Sequence, residues 1–188
     1  ATESHDPSVP EAWSAFMRQG WGDRELDLPP HPITPYAAAR RARLADAFPG
    51  ERLVLPAGGY QVRSYDTDYR FRPDTAHTYF TGNQTSDAVL VIEPDGSPVL
   101  YARPRSSRET DEFFRDRVYG ELWAGRRPSS REISDSLGIE VRHVDDLEDA
   151  LIGRTKTRVL RGRSAYVDGL VAPDVALDDD FARVVSEM

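Results

Sequence analysis

The sequence predicts an α/β fold class: a three-layer α/β/α domain with a mixed β-sheet, preceded by a Pro-rich arm that carries one short helix. Three observations predict it. The run Ala88-Val89-Leu90-Val91-Ile92 is apolar on both parities and β-branched at three positions, which marks a strand covered on both faces and central in its sheet. Glu93-Pro94-Asp95-Gly96-Ser97-Pro98 links it to Val99–Arg103, and Asp-Gly is a hairpin-turn signal, so these strands pair antiparallel. Further on, Ile139–Val144, Asp145–Leu151 and Thr157–Leu160 read strand, helix, strand, a βαβ unit with a right-handed parallel crossover. A hairpin early and a parallel crossover later make the sheet mixed.

Residues 1–35 hold six of the 14 prolines (Pro7, Pro10, Pro29, Pro30, Pro32, Pro35), a density that resists regular structure and defines the arm. Within it, Glu11–Trp21 places Trp13, Phe16, Met17 and Trp21 at helical spacing, an apolar stripe that packs on its own domain or on a partner. Thr34-Pro35 reads as an N-cap followed by proline at the first helical position, opening a helix to about Phe48 whose Leu44 and Phe48 face the core. Arg52–Ala57 is a short strand ended by Gly58-Gly59, and a polar loop runs to about Thr75. Tyr79-Phe80-Thr81-Gly82 has the β-propensity of a strand end, with Gly82 supplying a sharp turn. Ser106–Arg117 has a charged helical pattern anchored by Phe113 and Phe114, and a loop with Gly120, Trp123 and Gly125 follows. Ser129 or Ser130 caps a helix that stops at Gly138, and Asp178-Asp179-Asp180 reads as the acidic start of a helix through Phe181–Met188.

Composition excludes several function classes. With 24 basic against 32 acidic side chains the formal charge is -8, the wrong sign for a phosphate-backbone binder, so no nucleic-acid partner is expected. There is no cysteine, hence no disulfide framework, thiolate nucleophile or Cys-based zinc site. No apolar stretch approaches the ~20 residues that cross a bilayer, and ATESHDPSVP lacks the regions of a signal peptide, so no membrane partner and a cytoplasmic location are expected.

Candidate chemistry is sparse. His5, His31, His77 and His143 are scattered without metal-ligand spacing, and neither a nucleophile elbow nor a phosphate-cradling glycine loop is present. Asp66, Asp68 and Asp74, interleaved with Tyr65, Tyr69, Arg70 and Arg72, form a dense polar cluster that does not match a calcium loop; it reads as a cation or substrate site or, the reading favoured here, as a brace in which Arg70 and Arg72 neutralise the aspartates and tie the loop to the sheet. Trp123 followed by Arg126 and Arg127 offers a flat apolar wall beside two cations, the look of a binding-site rim, although a tryptophan plugging the core fits the same pattern.

These residues carry a family resemblance. Asp66, Tyr69, Phe71 and Arg72 in RSYDTDYRFRPD, then Tyr79-Phe80-Thr81-Gly82, the Ala88–Ile92 strand, LYARPRSSRE and Trp123-Ala124-Gly125-Arg126-Arg127 resemble, in order, the N-terminal domain of Xaa-Pro aminopeptidases (aminopeptidase P) of the creatinase and prolidase superfamily. The match runs from about residue 36 to 150; the arm and residues 162–180 lie outside it. The resemblance implies the ribonuclease H-like α/β/α fold over 36–177, with 178–188 beginning a linker helix to a C-terminal pita-bread catalytic domain. It implies removal of the N-terminal residue preceding proline by a two-metal centre, two Mn(II), activating a water, with the metal ligands in that further domain. This chain would then hold no cofactor or metal ligand and no catalytic residue, would be inactive alone, and would shape substrate access and oligomerisation. Trp123, with Arg126 and Arg127 positioning its loop, would contact a peptide with proline at its second position, and the protein would be a homo-oligomer. A non-catalytic protein-binding module of a peptidase-like protein, or a prolidase N-terminal domain, carries the same resemblance.

Overall fold

The computed structural model describes residues 8–65 and 67–188, so His5, Pro7 and Asp66 of the readings above lie outside the described residues. The chain divides into two compact units, Ala1–Leu26 with Pro104–Ser129, and Asp27–Arg103 with Ser130–Met188.

The larger unit is a five-stranded mixed sheet with helices on both faces. Its strands are β1 (Arg52–Pro56), β4 (Val89–Ile92), β5 (Pro98–Ala102), β6 (Glu140–His143) and β7 (Thr157–Val159), in the order β6-β5-β4-β1-β7. The predicted central strand is central: β4 pairs antiparallel with β1 (Val54 opposite Val91) and with β5 (Leu90 opposite Leu100), and all four of its residues are buried. β7 joins β1 in parallel and β6 joins β5 in parallel. The predicted strand, helix, strand run is therefore a crossover whose two strands occupy opposite edges, because the hairpin and β1 already fill the middle.

Period-two alternation sends the strands' side chains to two cores. On one face Leu53, Leu55, Leu90, Ile92 and Leu100 meet Leu44 and Phe48 of or next to α2 (Thr34–Ala47), Phe80 of α3 (Thr75–Thr81), Ile133 and Leu137 of α6 (Ser130–Leu137) and Phe181 of α9 (Val175–Glu187). On the other, Val54, Val89, Val91, Val99, Tyr101 and Val159 meet Leu147 and Leu151 of α7 (Leu147–Leu151) and Val167 of α8 (Ala165–Leu170). Each such side chain, fully buried, contributes about 1.5–3 kcal/mol relative to exposure, so the two cores together are what fix the sheet between its helix layers.

Several local expectations are corrected. Tyr79-Phe80-Thr81-Gly82 closes a helix, not a strand: the Asp74 carboxylate accepts hydrogen bonds from the Ala76 and His77 amides at its start, and Gly82 at φ 75° ends it. Two good caps outweigh the β-propensity of two aromatics. Thr34 is the first helical residue of α2 rather than its cap; Ile33 precedes it without a side-chain cap, and the Thr34 hydroxyl donates to the Ser136 carbonyl at 3.1 Å. The polar loop after Gly59 contains a small exposed hairpin of β2 (Val62–Ser64) and β3 (Thr67–Asp68). The acidic triplet lies inside α9, which Asp174 caps by accepting from Leu177 N; Asp178 instead turns inward, accepting from Val159 N at 2.8 Å and from Arg161 Nε at 2.8 Å. In the charged cluster, the partner of Asp74 is Arg163, at 2.6 Å.

In the smaller unit, the arm helix α1 covers Glu11–Met17 and stops short of the predicted Trp21, with Gly20 at φ 78° turning the chain away. The predicted helix over 106–117 shrinks to α4 (Glu112–Arg115). Ser and Thr side chains divert the backbone before it, Ser107 Oγ accepting from Glu109 N and Thr110 Oγ1 donating to Ser107 O, while Asp116 closes it by accepting from the Val118 and Tyr119 amides. Phe113 and Phe114 are the buried anchors expected, each 3% exposed.

Candidate functional site

The smaller unit holds all three residues predicted to face a ligand. Trp123 sits on a single helical turn, α5 (Glu121–Ala124), where a loop was expected. Glycines bracket the turn for different reasons: a Cβ at Gly120 would collide with the carbonyl oxygens of Asp116 and Glu112, and Gly125 adopts φ 84°, a conformation that favours glycine. The turn is held from beneath by Glu121, 6% exposed, whose carboxylate accepts from Arg108 Nη2 at 2.8 Å and from the Arg127 amide at 3.2 Å. A buried carboxylate with two donors is a hinge-pin, and its position fixes what the adjacent tryptophan presents.

The Trp123 indole donates from Nε1 to the Phe114 carbonyl at 2.7 Å, yet the residue is 61% exposed. One edge is pinned and much of the ring stays in solvent, so the core-plug reading fails and a preoriented apolar surface remains. Neighbouring aromatics stiffen the support: Trp13 packs edge-on against Phe114 at 5.3 Å, and Trp21 tilts on Phe113 at 5.1 Å. Those contacts occupy part of the arm stripe, while Phe16 is 72% exposed.

The two arginines face different partners. Arg127 lies over the Tyr119 ring at 5.0 Å and donates to the Tyr119 carbonyl at 3.3 Å, which ties the chain after the turn to the chain before it. Arg126 brings Nη2 to within 3.6 Å of Asp23 Oδ1. The same oxygen is met by Arg105 at 3.1 Å and by Arg108 at 3.5 Å. A second ion pair, Arg18 with Asp111 at 2.6 Å, holds α1 to the segment before α4. The Arg18 bond keeps the Asp111 carboxyl below its ordinary range, and Asp111 in turn raises the Arg18 guanidinium. Sequence reasoning found Trp123, Arg126 and Arg127 but missed Asp23, Arg105, Arg108 and Glu121; the only local signal was the arginine density of Arg103-Pro104-Arg105-Ser106-Ser107-Arg108.

The three described histidines serve structure. His77 is fully buried in the larger unit and its Nδ1 lies 2.9 Å from the Leu55 carbonyl, and burial pushes its pKa down. His31 Nδ1 accepts from Ile33 N, and His143 Nδ1 from Asp145 N. Among the described residues no three His, Asp or Glu side chains converge as a metal ion requires. Nor is any described helix long and apolar enough to cross a membrane.

The mixed five-stranded sheet with helices on both faces defines the larger unit as an α/β domain, and comparison with known proteins shows its family. The profile of the family "Aminopeptidase P, N-terminal domain" matches residues 37–160, and the chain belongs to that family. It is 44% identical over 179 residues to Xaa-Pro aminopeptidase 1 of Streptomyces coelicolor, covering 93% of this chain and 36% of that protein. To Xaa-Pro aminopeptidase 2 of the same organism it is 40% identical over 189 residues, covering 97% of this chain and 40% of the relative. Among solved structures, aminopeptidase P from E. coli in its low-pH form superposes with a TM-score of 0.57 at 26% identity, over 73% of this chain and 31% of that one. The chain thus spans well under half the length of the curated relatives it matches.

Proposed function

We propose that this chain is the non-catalytic N-terminal domain of a Xaa-Pro aminopeptidase, and that in the intact enzyme it shapes access of a peptide whose second residue is proline. The observation that carries the substrate role is the Trp123 indole, 61% exposed while anchored through Nε1. A flat ring held in place before binding loses little conformational entropy on contact with a peptide, and the face of proline is a natural apolar complement. Arg126 and Arg127 position the turn rather than touch the reacting atoms. Supporting the whole-enzyme reading are the family match and the Streptomyces relatives named Xaa-Pro aminopeptidase. By the same reading the intact protein is a cytoplasmic homo-oligomer, and the chemistry belongs to a C-terminal pita-bread domain, whose pair of Mn(II) ions would activate the water.

The test is turnover of an Xaa-Pro peptide by the full-length enzyme carrying Trp123→Ala. Loss of a buried aromatic contact of about 2 kcal/mol lowers kcat/KM roughly thirtyfold, with Trp123→Phe retaining most of it. Unchanged kinetics in a properly folded Trp123→Ala enzyme would refute the substrate role. The 188-residue chain assayed alone with manganese gives no turnover on this reading.

A further inference from the structure

The smaller unit contains a cavity of about 510 Å³ whose walls include Arg18, Trp21, Asp23, Arg105, Ser106 and Arg108. That is the size of a small-molecule site. Three guanidinium groups, those of Arg105, Arg108 and Arg126, converge on the single oxygen Oδ1 of Asp23 at 3.1, 3.5 and 3.6 Å. Their side chains are only 18, 17 and 25% exposed, whereas that of Asp23 is half in solvent. Of the three contacts, that of Arg105 is a hydrogen bond. Among the described residues, Arg108 Nε, Arg126 Nε and Nη2 and the hydroxyl of Ser106, a residue only 7% exposed, are buried without a hydrogen-bond acceptor.

Buried donors left without acceptors are costly, and a planar guanidinium is matched by a carboxylate or phosphate through paired oxygens. Glu121 takes Nη2 of Arg108 and the Arg24 carbonyl takes Nη1 of Arg105, yet one half-exposed aspartate leaves Arg108 Nε and Arg126 Nε and Nη2 without an acceptor. We propose that this cavity is a binding site for a small oxyanion, a carboxylate or phosphate group, that Asp23 partly imitates in the free protein. The ligand's oxygens take the vacant donors of Arg108 and Ser106 in the wall and, at the place of the Asp23 carboxylate, those of Arg126, which is outside the wall but 3.6 Å from the same Asp23 oxygen; Asp23 yields to solvent. Because the chain as a whole carries a formal charge of -8, it has no general attraction for anions, so saturable binding reports on this cavity. The inference does not rest on the peptidase reading, since its test involves no turnover.

The test titrates the 188-residue chain with inorganic phosphate and, separately, with malonate, at ionic strength held constant by sodium chloride, following tryptophan fluorescence because Trp21 lines the cavity. One of the two probes saturates, and which one does names the ligand class. Arg126→Gln abolishes the response, while Asp23→Asn, which removes the competing carboxylate, tightens binding about fivefold. Opposite outcomes from the two variants separate binding from a merely structural role, and Asp23→Asn decides the matter alone if Arg126→Gln does not fold. The proposal is overturned if neither probe exceeds the chloride control, or if Asp23→Asn binds no more tightly than the parent.

Discussion

Replacing Glu121 by alanine strikes the support under the candidate site rather than its surface. The Glu121 side chain is 2% exposed and that of its partner Arg108 is 17% exposed, so the pair at 2.8 Å is almost dry. Removing one member of a buried pair typically costs about 3–5 kcal/mol, because the remaining charge is left uncompensated. Here Arg108 keeps a second anion, Asp23, at 3.5 Å, which places the loss at the lower end of that range. The orphaned Arg127 amide adds about 1 kcal/mol if it stays buried, less if water reaches it. The expected loss is therefore about 3–4 kcal/mol, and Glu121→Gln, which keeps an acceptor but no charge, loses about half as much. Urea unfolding of the 188-residue chain monitored by tryptophan fluorescence is the right assay, since Trp13, Trp21 and Trp123 all lie in the smaller unit. A loss below about 0.5 kcal/mol for the alanine variant, the range of ordinary surface substitutions, would show that Glu121 holds nothing in place.

Two further predictions concern the larger unit. Burial depresses the pKa of His77 below its ordinary 6.5, an effect the Leu55 carbonyl only partly offsets, so the folded state takes up a proton less readily than the unfolded chain. The stability that follows is complete above 6.5 and is lost as pH falls from there toward the lower folded-state value; His77→Gln should flatten that part of the stability curve measured by urea unfolding at successive pH values, and an unaltered curve counts against the assignment. Asp178, 6% exposed, satisfies the buried Val159 amide and pairs with Arg161, so Asp178→Ala should cost about 3 kcal/mol in unfolding followed by far-ultraviolet circular dichroism, and Asp178→Asn distinctly less; equal losses for the two would mean that the bond to the Val159 amide contributes nothing beyond the charge.

What was legible in the sequence follows from where each structure's cause resides. β4 was readable because a strand buried on both faces has to be apolar at every position, and Val89–Ile92 is buried throughout. The β4–β5 hairpin was readable because Asp95-Gly96 concentrates its turn chemistry in adjacent residues, with Gly96 at φ 85°. α3 was misread because Tyr79 and Phe80 carry β-propensity while the deciding signal, Asp74 as cap, sits outside that tetrapeptide. Sheet order resisted reading for a different reason. A strand, helix, strand run does not state whether other strands will come between its members, and here three do: β5, β4 and β1 separate β6 from β7.

The site shows the same division at the scale of side chains. Trp123, Arg126 and Arg127 were visible because a tryptophan between glycines and next to paired cations is a local pattern. Whether the ring would plug a core or face solvent depended on the Phe114 carbonyl nine residues away, which no local pattern encodes. The arginine cluster is further still from legibility: Arg105 meets Asp23 across 82 residues of chain. In the sequence Asp23 is one of 32 acidic residues and Arg105 one of 24 basic ones, and nothing in composition distinguishes this pair from any other. It acquires meaning only because the arm, through α1 and Trp21, is drawn against α4 by aromatic contacts, Trp13 on Phe114 and Trp21 on Phe113. The aromatics of the arm stripe thus have a consequence beyond packing: by closing the chain on itself they bring Asp23 to the arginines, so that charges scattered in sequence become a concentrated cationic cavity in a protein that is acidic overall.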